Sequence, residues 1–396
     1  MIVKGTNRDQ TRPYNRRVVL ETVRLRGPMS RADISRLTDL TPPAVNDITR
    51  ELEKAGLLRS EGRRRTARGQ PPVDYIINPE GGYSIGLQLD RDRLVGVMLD
   101  LAGDPRARTE CRIEDPRPDA ALPSLIAVSR QLITEAGINA ASVIGAGLVL
   151  PGPFDSDDPD DPMRLPGWRN TDPARALMAA IDLPVIVVND ANAAAVGERL
   201  HGAARDLATF CYVFLGHGLG AGFFLNGEPF EGSRGNAGEL GHMVVDFSAT
   251  GPAQRLEHHV SLHALGRWFA ERGREAPRPE DLADLVAAND DDLNGWMDAA
   301  AAMLRPGLAS LAALLDPQAI LIGGLVPTPF IDVLLARLDG IASDHLQLIA
   351  ATAGPDVGAL GAAALPVFHH FVPGSALLTK DTSAANGAGR HPLAAM

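Results

Sequence analysis

Apolar residues along the chain follow two different periods, and the change of period divides it. Over residues 1–80 they recur at helical spacing in three short stretches. In "NRRVVLETVRLRG", Val18, Val19, Val23 and Leu25 form a stripe that Gly27 ends, which predicts a first helix. "MSRADISRLTDL" opens on Ser30 with Asp33 three residues on, the spacing of a capping box, and carries Ile34 and Leu37, which predicts a second. "TPPAVNDITRELEKAGLL" has Thr41 at the N-cap position and prolines at the first helical positions, where a missing N–H does no harm. Val45, Ile48 and Leu52 then mark one face as far as Gly56. Two short apolar strands follow, on either side of the Arg-rich loop in "LLRSEGRRRTARGQPPVDYIIN".

From residue 81 the period shortens. Strand-like runs ("YSIGLQL", "LVGVMLDL", "VIGAGLVL", "PVIVVND", "ATFCYVFL", "AILIGG") alternate with Ala- and Leu-rich helical patterns, so the body is α/β with Gly-rich turns at strand ends. Paired turns of this kind suggest two similar halves, although the internal repeat is weak. The division expected is a head over 1–80, a body over 81–372 and a tail over 373–396 whose lack of period predicts disorder.

Charge sharpens the division. Residues 1–70 hold 16 Lys and Arg against 8 Asp and Glu, a balance of +8, so that of the whole-chain −11 the remaining residues carry −19. A basic head on an acidic body points to nucleic acid at one end. The 396 residues suffice for two or three domains without staples. Cys111 and Cys211 form no C-x-x-C pair, so neither a disulfide framework nor a cysteine zinc site is encoded. The N-terminus lacks an apolar core of signal-peptide type, and no run approaches the roughly 18 uninterrupted apolar residues of a membrane span. The expectation is a cytoplasmic protein with no membrane partner.

Three helices, the third with small polar residues on its N-terminal face, followed by a two-stranded wing, make a winged helix-turn-helix whose third helix enters the major groove of double-stranded DNA. Ser30, Arg31, Thr41, Pro43, Asn46 and Arg50 are the candidates to face bases or nearby phosphates. Asp47 either accepts from a cytosine amino group or solvates the helix. Arg63, Arg64 and Arg65 are placed to meet phosphate, and Arg68, beside Gly69, to lie along a narrow minor groove.

In the body, "GLVLPGP", "LPGW", "VVNDANAAAVGE", "LGHGLGAGF", "GNAGELGH" and "ILIGG" occur in that order. This succession resembles the ROK family of repressors, open reading frames and kinases, and with the winged head it is similar to a ROK transcriptional regulator over nearly the whole chain, to about residue 370. The resemblance implies an actin-like, ribonuclease-H-like, two-lobed sugar-kinase fold with a ligand cleft between the lobes. It places Asn189 and Asp190 at the sugar-contacting pair, Asp190 standing where a kinase has its base, Glu239 and His242 in the E-x-G-H motif, and Glu257 at the glutamate after the zinc loop. Carboxylates and an amide suit hydroxyl recognition. Asp190 also reads as a helix cap, and His242 also as a core histidine.

The chain departs from the family twice. "MVVDFSATGPAQRL" stands where many relatives have a C-x-C-G-x-x-G-C zinc segment, so no thiolate ligand remains and no metal is expected. A set of His242, His259 and His263 is disfavoured, and would need "LEHHVSLHAL" to be helical. The second departure is "GLQLDRDRLVG". Aligned on the kinase pattern D-x-G-G-T-K, it puts Gln88 at the magnesium carboxylate, side chains at the phosphate-hugging glycines, and Asp90 and Asp92 where they would repel phosphate. The expected protein is a sugar-responsive DNA-binding regulator, a repressor and a homodimer, that releases DNA when a sugar or sugar phosphate binds, and that needs no cofactor and is no enzyme. The alternative is an active ATP-dependent sugar kinase carrying a DNA-binding head.

Overall fold

The computed structural model describes residues 8–63, 73–152, 165–168, 171–233, 235–246, 254–338, 340 and 346–371. The head consists of helix α1 (Arg8–Arg26), strand β1 (Met29–Ser30), α2 (Arg31–Thr38), α3 (Pro42–Lys54), β2 (Leu58–Arg63) and β3 (Val73–Ile77). The three strands form an antiparallel sheet in the order β1-β3-β2. Ser30 and Asp33 complete the capping box of α2. Thr41 adopts an extended N-cap backbone, but its side chain makes no cap bond.

Val45, Ile48 and Leu52 face the head's core as their spacing requires, against Val19, Leu20, Val23, Ile34 and Tyr75. The stripes of α1 and α2 differ from expectation at their ends. Leu25 is 48 % exposed and Leu37 47 % exposed, and Leu20 is buried instead. At about 100° per residue Leu25 lies about 200° round the helix from Val23, on the far face. The head's apolar cluster does not close on itself, because Leu101 and Ile144 of the body are buried in it.

Two five-stranded sheets build the body. The first comprises β4 (Tyr83–Leu89), β5 (Arg93–Asp100), β6 (Pro105–Arg112), β7 (Val143–Leu150) and β8 (Val185–Asn189), with α4 (Pro118–Glu135) and α5 (Pro173–Ile181) on its outer face; α6 (Asp190–His201) leads on to the second lobe. The second comprises β9 (Phe210–Leu215), β10 (Leu219–Leu225), β11 (Glu228–Pro229), β14 (Ala319–Gly324) and β15 (Gln347–Ala350). A short pair, β12 (Val244–Asp246) and β13 (Gln254–Arg255), lies between β11 and α7 (Leu262–Ala270) in the chain. Helices α8 (Leu282–Ala287), α9 (Asp291–Leu315) and α10 (Thr328–Arg337) complete the second lobe, and α11 (Val357–Phe371) returns to the first.

The sheet orders are β6-β5-β4-β7-β8 and β11-β10-β9-β14-β15. Counted from each sheet's own first strand, both are 3-2-1-4-5, with two antiparallel neighbours and two parallel ones. The halves that are faint in sequence are therefore plain in topology, and the whole is the two-lobed, actin-like arrangement. Central strands are buried on both faces and so read as continuous apolar runs. In β5, Leu94 and Met98 meet the layer of α4, while Val95, Val97 and Leu99 meet α11. By length and apolar content α9 could cross a membrane. Here its Leu293, Trp296, Met297, Leu304 and Leu308 are buried in the core of the second lobe.

The chain crosses between lobes twice, through α6 and through the segment from β15 into α11, and these helices pack tightly on one another. A Cβ on Gly361 would stand 1.7 Å from the carbonyl oxygen of Ala193, so only glycine permits the approach. Where the crossings meet, the fully buried carboxylate of Glu198 accepts from the backbone N–H groups of Ala203 (2.8 Å), Thr352 (2.6 Å) and Ala353 (3.0 Å). A buried charge is tolerable when its acceptors are filled in this way. Glu198→Ala strips three donors of their partner. Water reaches exposed Ala203 and Thr352 and recovers part of the loss. The expected destabilisation is about 2–4 kcal/mol, with Glu198→Gln milder because it keeps one acceptor oxygen. An unchanged urea midpoint for Glu198→Ala would show that the crossing is held by packing alone.

Candidate functional site

Between the lobes, Asn189, Asp190, Glu239 and Glu257 line one cleft together with Asp90, Arg91, His217 and the turn Pro151–Gly152. The parallel strand β8 delivers Asn189 and Asp190 to the cleft mouth, where α6 begins. The N-cap of α6 is Asn189 and not Asp190: Asn189 Oδ1 accepts from the N–H groups of Ala191 (2.8 Å) and Asn192 (3.4 Å). Capping occupies that oxygen, which leaves the amide N–H groups as the polar function Asn189 can offer a ligand. Asp190 Oδ1 also accepts from Ala191 N–H at 2.8 Å.

The E-x-G-H segment forms a single 3-10 turn, Leu240–His242, pressed against β10 and the segment carrying Glu257. Gly241 is needed there because a Cβ would stand 2.4 Å from the Leu219 carbonyl oxygen and 2.9 Å from the Glu257 Cβ. His242 Nε2 thereby lies 3.8 Å from Glu239 Oε2 and 3.5 Å from Glu257 Oε1, while Arg255 approaches Glu257 Oε1 to 3.8 Å. His242 is a member of this polar cluster and not a core residue. All five candidate sugar contacts thus converge, without a cysteine loop to fix them. In its place the described chain has the β12–β13 pair; residues 247–253 lie outside the described residues.

"LEHHVSLHAL" is not one helix. A 3-10 turn ends at His258 and α7 starts at Leu262, so His259 and His263 do not share the helical face that an imidazole metal site would need. Among the described residues no group of three or more His, Cys, Asp or Glu side chains is placed to hold a metal ion.

A hairpin turn at Asp90–Asp92 joins β4 to β5, with Asp90 N–H donating to the Arg93 carbonyl at 2.8 Å. Its two carboxylates differ. Asp92 is exposed and takes no part in lining the cleft, whereas Asp90 is only 5 % exposed and forms part of the cleft wall. The sequence places both where they would repel phosphate, and only Asp90 faces the cleft. The missed signal is Gln88, buried at 1 % exposure, whose Nε2 donates to Asp90 Oδ2 at 3.2 Å. Gln88 stands where a kinase has its magnesium carboxylate, and it serves instead as a donor to a neighbouring acid.

Burial dominates the electrostatics. It raises the Asp90 carboxyl to about 6, against the pull of Arg93, whose guanidinium is 4.0 Å away and is shared with Glu110 at 3.8 Å. It raises Asp190 to about 7, with repulsion from Asp90 and Glu239 adding to the effect. His217, on the β9–β10 turn, is pushed down to about 4 by burial and by Arg91, and is neutral at pH 7.

On the head, Pro43, Asn46, Asp47 and Arg50 occupy one face of α3 at helical spacing. Pro43, Asp47 and Arg50 are exposed, Asn46 is half-buried, and Thr41 is exposed at the helix start. Two members of the candidate DNA-contacting set make contacts within the head, Ser30 buried and Arg31 half-buried. Ser30 is 6 % exposed and occupied by its capping box. Arg31 donates through Nε to Thr49 Oγ1 at 2.8 Å and stacks 4.9 Å from the centre of the Tyr75 ring, tying α2 to α3 and β3. Both residues hold the head together. Arg63 ends β2, opposite Val73, while Arg64, Arg65 and Arg68 lie outside the described residues.

Comparison with known proteins accounts for both parts. The model of the ROK family matches residues 84–367, and one described as winged helix-turn-helix DNA-binding matches residues 13–59. The xylose repressor of Bacillus subtilis (strain 168) is 26 % identical over 374 residues, covering 91 % of this chain and 97 % of the relative. Among solved structures, a ROK family transcriptional regulator described as a homologue of the E. coli MLC protein superposes with a TM-score of 0.75 at 25 % identity, covering 92 % of this chain and 97 % of that one. A ROK family glucokinase from Streptomyces griseus, solved with glucose and AMPPNP, gives a TM-score of 0.59 at 25 % identity over 72 % of this chain and 99 % of its own. With a family model matched across its body, and a winged helix-turn-helix preceding it, the chain belongs to the ROK family.

Proposed function

We propose that this protein is a sugar-responsive transcriptional repressor, in which the cleft of a sugar-kinase fold serves as a sensor and the head binds an operator in double-stranded DNA. The observation that carries the reading is the coexistence in one chain of an exposed polar face on α3 and a cleft that gathers Asn189, Asp190, Glu239, His242 and Glu257. The similarity to a xylose repressor over nearly the full length supports the same reading. As a DNA-binding regulator the protein would work in the cytoplasm, and a homodimer fits the two-fold operators that winged heads read in pairs.

Sugar binding acts on DNA affinity only through a difference in affinity between DNA-competent and DNA-incompetent arrangements, and release on binding is the direction expected. No phosphoryl transfer is expected. General-base help from Asp190 is typically worth about 10² to 10⁴ in rate and is idle without a positioned donor. The hairpin that would position one has no carboxylate at Gln88 and no glycine at Asp90. Operator fragments selected from a random DNA pool should be bound by the full chain and released by at least one sugar that raises its unfolding temperature. Incubation of that sugar with magnesium-ATP and the protein should yield no sugar phosphate above an Asp190→Ala control. Turnover dependent on Asp190 would restore the kinase alternative, and absence of any selected DNA would remove the repressor.

A further inference from the structure

We propose that Asp90 makes the cleft selective for an unphosphorylated sugar, excluding the corresponding sugar phosphate. The inference rests on the cleft being the sugar sensor. Among the described residues four carboxylates line that cleft, Asp90, Asp190, Glu239 and Glu257, with the guanidinium of Arg91, while that of Arg255 approaches Glu257 to 3.8 Å. His217 adds no positive charge at neutral pH, because burial and Arg91 hold its ring unprotonated. Arg93, outside the lining, divides its charge between Asp90 and Glu110. Among the described residues the wall thus carries more carboxylates than cations.

A sugar hydroxyl donates to such a wall, whereas the oxygens of a phosphate monoester only accept and carry up to two negative charges. The position of Asp90 decides which hydroxyl is policed. Asp190 and Asp90 line the same cleft, one at the start of α6 and the other on the turn after β4. An ester on the hydroxyl that meets Asp190 would bring its phosphate toward Asp90, at the turn position where phosphate-binding relatives have glycine. With 5 % exposure and its Oδ2 held by Gln88, Asp90 cannot swing into solvent to make room. Burial in low dielectric magnifies the like-charge penalty.

The test is calorimetric titration of the full chain with D-xylose, D-glucose, D-mannose and N-acetyl-D-glucosamine, and with xylose 5-phosphate and the 6-phosphates of the other three. For every sugar that binds, the ester is expected to bind at least about tenfold more weakly. In Asp90→Asn and Asp90→Gly that ratio should shrink by about fivefold or more; Asn keeps the volume and an acceptor for Gln88, and circular dichroism checks that each variant is folded. An ester that binds as tightly as its sugar overturns the proposal, as it would if Arg91 recruited the phosphate, and so does a ratio unchanged in the folded variants. Binding of neither class is a different result, since it removes the sensor reading itself and the selectivity with it.

Discussion

Asp190→Asn and Glu239→Gln are each expected to abolish the response to sugar while leaving affinity for the operator unchanged. Both carboxylates line the cleft, and neither belongs to the head. Each substitution replaces a group able to accept from two hydroxyls by one that accepts once and must also donate. A buried group left unpaired costs about 1–3 kcal/mol, roughly 5- to 150-fold in affinity. Asp190 adds a pH signature. Because burial raises it to about 7, the empty cleft holds the proton below that pH and loses it above. If the sugar binds the carboxylate form, binding below pH 7 releases a proton, so affinity rises as pH climbs from about 6 to 8 and then levels off. Asp190→Asn should be weak at every pH and lose the part of the rise centred near 7, leaving only what Asp90, raised to about 6, contributes at the acid end. A variant that responds normally would place the effector elsewhere on the molecule.

The second large effect is expected on DNA. Changing Arg63, Arg64 and Arg65 together to Ala should weaken binding to all sequences and flatten its salt dependence. Each lost phosphate contact lowers the slope of log affinity against log salt by about 0.9, so three contacts would lower it by about 2.7. Asn46→Ala or Arg50→Ala should do something different. These residues lie on the outward face of α3, and losing a base contact relaxes discrimination at one position by about 1–3 kcal/mol. Binding titrations at several salt concentrations, on operator and on random DNA, separate the outcomes. An unchanged slope in the triple variant would remove the wing from the interface.

How much of this was legible in the sequence depends on whether the signal was local. The capping box of α2, the prolines at the start of α3 and the core stripe of that helix follow from neighbours within one turn, and they stand as read. The two sheets were legible as strand runs, but their shared order required pairings between residues far apart in the chain. Tertiary packing decided what neighbours within one turn do not show. Arg31 looks like a basic residue beside a recognition helix, yet it is held by Thr49 and Tyr75, which lie 18 and 44 positions further on. Asp90 and Asp92 look alike in the sequence, but only Asp90 is buried, with Gln88 and the cleft wall around it. Asn189 was expected to greet a ligand with both halves of its amide, and capping α6 takes one of them.

The open apolar cluster of the head bears on how such proteins can be recombined. Leu101 and Ile144, both under 5 % exposed, complete a core whose other buried members all lie before residue 78. Cut after β3, the head would present the apolar surface those two residues now cover. Arg24 would lose its stacking on Phe368, 5.1 Å away on α11. A chimaera that grafts this head onto another sensor must therefore carry the rim of the first sheet across with it, or supply apolar side chains of matching size at those two positions. The junction for swapping specificities is a packed surface and not a point in the chain.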